Sequence, residues 1–109
     1  MSENINPNLK LTTVVFEPEI IVVEGKRDQT VGGSVMVKNI GDETFICQSV
    51  AKSCGCTTPS GVTTGTIIEP GESKELSFTI KLGTPSDKFI YVYGNATAIS
   101  LRIAKRILE

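Results

Sequence analysis

The sequence predicts an all-β fold, an immunoglobulin-like β-sandwich of about seven strands, and three observations predict it. Short apolar runs alternate with a period of two, most cleanly from Ser73 to Leu82. Turn chemistry separates them at regular intervals, at Asn39-Ile40-Gly41-Asp42, Glu69-Pro70-Gly71-Glu72 and Gly83-Thr84-Pro85-Ser86-Asp87. No helical period holds for ten residues anywhere in the 109-residue chain.

The elements follow in order. Residues 1–10 are polar, with three asparagines and a proline, and read as an extended N-terminal arm; residues 11–109 read as the sandwich domain. Leu11 to Phe16 and Ile20 to Val23 are β-branched runs separated by Glu17-Pro18-Glu19. The proline lacks a ladder donor, so this region is expected to be a kinked edge strand, and an open place for a partner strand. Thr30 to Asn39 alternates, with Val31, Val35 and Val37 facing inward and Ser34, Met36 and Lys38 outward. Phe45 to Lys52 is the next strand and runs into a cysteine loop, Ser53-Cys54-Gly55-Cys56-Thr57-Thr58-Pro59.

Beyond Pro59 a flexible connection of Ser, Gly and Thr leads to Ile67-Ile68. Ser73 to Leu82 then sets Leu76, Phe78, Ile80 and Leu82 against Glu75, Ser77, Thr79 and Lys81, the pattern of a half-buried strand. Lys88 to Tyr93, a Gly94-Asn95 turn and a last strand around Ile99 to Ile107 complete the chain.

Eleven basic and twelve acidic residues leave a net charge of -1, and neither sign clusters along the chain. Nucleic acid and an anionic membrane surface are therefore not expected partners. The opening residues carry no secretory pattern, and Ile20-Ile21-Val22-Val23 is too short to cross a bilayer. Three cysteines are too few for a disulfide scaffold, which makes reduced thiols the working expectation. There is no histidine, so nucleophilic catalysis lacks its usual base and no enzymatic activity is expected. No cofactor is expected either.

Taken together, Val37-Lys38-Asn39-Ile40-Gly41, Phe45-Ile46-Cys47, Ser53-Cys54-Gly55-Cys56-Thr57, Pro70-Gly71-Glu72 and Ile90-Tyr91-Val92 with Asn95 resemble the bacterial DUF1573 family over roughly residues 14–104. The resemblance implies an Ig-like domain of the group related to the ASPM, SPD-2 and Hydin modules. Members of the family usually look exported, whereas this chain opens without an export signal. In that stand-alone format it resembles the small accessory proteins of tailed-phage virions.

Two places invite a functional reading. Cys54 and Cys56, one residue apart, suit a soft metal such as Cu(I) or a redox pair. Equally, they suit small side chains filling the turn where the strand leaves its sheet, with Gly55 easing the backbone. Cys47 is expected in the core. Strand alternation sets Phe89, Tyr91 and Tyr93 opposite Ile90 and Val92, and Arg102 and Arg106 opposite Leu101 and Ile103. Tyrosine and arginine favour binding hot spots, so this is the expected contact surface; cross-strand pairing of the tyrosines is the structural alternative. Asn95-Ala96-Thr97 matches a glycosylation sequon but reads as turn chemistry.

These features lead to the expectation of a structural or interaction module. Its specific form is a decoration protein bound to the major capsid protein of a bacteriophage, localised to the virion after assembly in the host cytoplasm. The alternative is a bacterial binding domain of the cytoplasm that uses the Cys-Gly-Cys loop for a soft metal or a peptide.

Overall fold

The structure, a computed structural model, describes residues 10–83 and 86–108. Among them nine strands form two sheets: β1 (Val14–Glu17), β2 (Ile20–Lys26), β3 (Thr30–Asn39), β4 (Phe45–Lys52), β5 (Thr57–Ser60), β6 (Ile67–Ile68), β7 (Ser73–Lys81), β8 (Lys88–Gly94) and β9 (Ala96–Leu108). The four-stranded sheet runs β1-β3-β7-β5 and the five-stranded sheet β2-β9-β8-β4-β6. The arm expected over residues 1–10 lies, but for Lys10, outside the described residues.

Alternation decides which faces meet. In the antiparallel β3–β7 pair, Val35 lies opposite Leu76 and Val31 opposite Ile80, so the apolar residues of both strands share one face. From the other sheet Phe45, Ile90, Val92, Leu101 and Ile103 meet them, and all five are buried. Together these side chains form one continuous core between the sheets.

The region around Pro18 is more than a kinked strand. β1 lies on the edge of the four-stranded sheet, antiparallel to β3, whereas β2 lies on the edge of the other sheet, parallel to β9. The Glu17-Pro18 peptide is cis. The chain thus changes sheets within three residues, and one expected strand becomes two. A second addition is β5, where a loop was expected: Thr57–Ser60 pairs with β7 despite Pro59. As an outermost strand it tolerates a residue that cannot donate on one side. These two changes raise the count from about seven to nine.

β4 also slips. Between Cys47 and Ser49 its register against β8 shifts, so Gln48 and Ser49 are both exposed and Val50 turns back toward the core. Cys47 itself is buried, as expected. No helix among the described residues is long and apolar enough to cross a membrane.

Two asparagines hold the loops at one end. Asn39 Nδ2 donates to Glu43 O and Ile68 O, each at 2.8 Å, while its Oδ1 accepts from Thr12 Oγ1 and Gly41 N. Asn95 makes a parallel set with Lys10, Thr44 and Ile46. Both side chains are buried and every polar atom is used, as burial demands.

Candidate functional site

The outer face of the five-stranded sheet is where the expected contact residues meet. Phe89, Tyr91 and Tyr93 on β8 form a ladder, with ring centroids 6.2 Å apart between the first two and 6.4 Å between the last two. On β9, Arg102 pairs in register with Phe89 on one side and Ile20 of β2 on the other, and Ser100 pairs with Tyr91. Across β8, Ala51 lies opposite Tyr91 and Ser49 opposite Tyr93. The face ends at β2, whose Ile20 and Val22 are 55% and 62% exposed. These two aliphatic side chains were not among the expected contact residues, although alternation with buried Val23 signals their direction.

The structure adds to one expectation by pairing each arginine. Arg102 Nε donates to Asp87 Oδ2 at 2.6 Å, and Arg106 Nη1 lies 3.6 Å from Glu24 Oε1. Each charge has a partner within the chain, and the four side chains stay partly exposed, so Arg102 and Arg106 remain part of the face. Asp87 and Glu24 carry this change, and the topology that brings them there is not visible in a linear reading.

The cysteine loop corrects a second expectation. Cys54 and Cys56 are joined as a disulfide rather than held as reduced thiols. Their sulfurs bond each other, so they are not the pair of free thiolates a soft metal requires, and no group of three or more metal-ligating side chains occurs among the described residues. The backbone N–H of Cys56 donates to Cys54 Sγ at 3.0 Å. Both cysteines are half-buried and Gly55 between them is exposed. Asn95 in turn has no role as a glycan acceptor: it is buried, and its Nδ2 donates to Lys10 O and Thr44 O, each at 2.7 Å.

Residues 13–106 match the profile of a family described as "Protein of unknown function (DUF1573)". The chain belongs to the DUF1573 family. Among solved structures, this DUF1573 domain is similar to a protein of unknown function from Porphyromonas gingivalis W83 (TM-score 0.75, 14% identity, 90% of this chain and 48% of that one). It therefore spans about half the length of that protein. The ASH / PapD-like domain of human CEP192 (PapD-like domain 7) is similar over 100% of this chain and 96% of that one, with TM-score 0.65 and 11% identity. SSP-19, an MSP-domain protein like family member in Caenorhabditis elegans, is similar at TM-score 0.66 and 14% identity, over 84% of this chain and 98% of that one. At these identities the likeness shows the fold alone, an Ig-like, PapD-like sandwich. No curated protein matches the DUF1573 sequence.

Proposed function

We propose that this DUF1573 domain is a non-enzymatic interaction module that holds a protein partner on the outer face of its five-stranded sheet. The observation that carries the proposal is the Phe89-Tyr91-Tyr93 ladder on β8, with exposed Ile20 and Val22 on β2 across the intervening β9. Aromatic rings on a flat sheet supply large contact area at little cost in side-chain freedom, and such residues dominate binding energy. Because Arg102 and Arg106 already face Asp87 and Glu24, the partner that fits is an apolar protein surface with a polar rim, not an acidic one.

The kinship with the ASPM, SPD-2 and Hydin group remains a proposal resting on the motif resemblance. The bacteriophage capsid, and with it the virion, gains no support from the fold neighbours. The soft-metal alternative gains no support, since the two sulfurs bond each other in this structure.

A photo-crosslinking residue placed at position 91, with position 79 on the opposite sheet as control, tests the proposal in the organism that makes the protein. A discrete crosslinked protein from position 91 and none from position 79 is expected. Equal yields at the two positions, or a product from position 79 alone, would contradict it.

A further inference from the structure

Where the two sheets part beside the cysteine loop, a pocket of about 210 Å³ is lined by Cys54, Cys56, Lys81, Gly83, Lys88 and Lys105. The sequence scatters the three lysines over the end of β7, the start of β8 and the last third of β9. The fold gathers them around the disulfide. No carboxylate lines the pocket, and none of the three lysines is in an ion pair among the described residues. Burial, and then the nearby charge of Lys88, hold the Lys105 ammonium below its ordinary pKa, as expected of cations gathered without a counter-ion.

We propose that Cys54 and Cys56 are a reversible dithiol/disulfide couple whose exchange partner is an anionic thiol, attracted and held by Lys81, Lys88 and Lys105. Three observations support this. The bond closes a loop of only two-residue separation, so it restrains little of the unfolded chain and is a poor staple for the fold. The tip is open: a Cβ built on Gly55 would meet no atom within 4 Å. And the Cys56 N–H aimed at Cys54 Sγ, with the lysines nearby, is the environment that stabilises a thiolate.

The step balances as a two-electron exchange. An incoming thiolate attacks Cys56 Sγ; the sulfur–sulfur bond breaks and its electron pair leaves on Cys54 Sγ, where the Cys56 N–H and the lysines hold the charge. A second thiolate attacks the sulfur of the first thiol in the mixed disulfide, which releases Cys56 as thiolate. Two thiols are oxidised to one small disulfide and the protein pair is reduced to two thiols. A pocket of this size admits the end of a small thiol, not a bulky ligand.

The test compares the native protein's reduction by 2-mercaptoethanesulfonate, which is anionic, and by cysteamine, which is cationic, at equal thiolate concentrations. Acid quenching, alkylation and peptide mapping separate Cys54 and Cys56 from Cys47. The anionic thiol is expected to react about 10-fold faster or more, with the preference shrinking in high salt and in Lys81→Gln, Lys88→Gln and Lys105→Gln variants, singly and combined. Equal rates with the two thiols in the wild-type protein would overturn the proposal, and that result requires no variant to fold. A pair that opens only when urea unfolds the domain would overturn it too, as would a preference unchanged in the combined variant.

Discussion

Asn95 Oδ1 accepts the backbone N–H of Ile46 at 2.7 Å, tying the turn between β8 and β9 to the start of β4. The same side chain donates to Lys10 O and Thr44 O, so one buried amide satisfies three backbone groups from two segments. Asn95→Ala leaves all three without a partner and is expected to cost about 2–4 kcal/mol. Asn95→Asp keeps the acceptor but loses both donations, and urea denaturation should place it between the wild type and the alanine variant or below.

Gly94 and Gly55 separate close approach from open space. A Cβ on Gly94 would meet the Ile46 carbonyl oxygen and the Phe45 ring, and Phe45 is wholly buried. Gly94→Ala therefore needs a backbone shift between β4 and β8 and is expected to cost about 2–4 kcal/mol. Gly55→Ala has no such neighbour and should change stability by less than about 0.5 kcal/mol. Thermal melts of the two variants check the contrast.

Cys47 carries a pH signature. Burial pushes its thiol up, opposed in part by a hydrogen bond with the Ser49 backbone. A raised folded-state pKa means the folded chain holds the proton longer, so this contribution to stability is complete below the unfolded thiol's value of about 8.5 and is lost as pH rises through the folded value. Comparing the wild type with Cys47→Val between neutral and alkaline pH isolates it: the variant's stability should fall less steeply.

The aromatic ladder is expected to matter for binding more than for folding. Tyr93 is 39% exposed and Tyr91 half-buried, so Tyr91→Ser with Tyr93→Ser should cost only about 1–2 kcal/mol of stability. Binding to the partner captured at position 91 should weaken by about 10-fold or more. Denaturant midpoints and binding isotherms on the same preparations distinguish the two effects.

Much of this fold was legible because alternation is a local signal. β3 and β4 run over Thr30–Asn39 and Phe45–Lys52, the spans their residues predict, and the inward set of β7 is the predicted one. What escaped depends on contacts distant in sequence. Pro18 signals a break but not that the chain changes sheets there, and Pro59 hides β5 because a proline is tolerated only at an edge that sequence does not reveal. Asn39 and Asn95 read as turn residues because their partners, such as Ile68 and Lys10, are far along the chain. The direction of Tyr91 and Tyr93 was readable; the pairing of Arg102 with Asp87 and the gathering of Lys81, Lys88 and Lys105 were not.

The most direct measurement is hydrogen exchange of the domain alone and with the protein captured at position 91. The account predicts new protection over Ile20–Lys26 and Lys88–Gly94, with Thr57–Ser60 unchanged. Protection confined to β1 and β5 of the four-stranded sheet, with β8 unaltered, would contradict it.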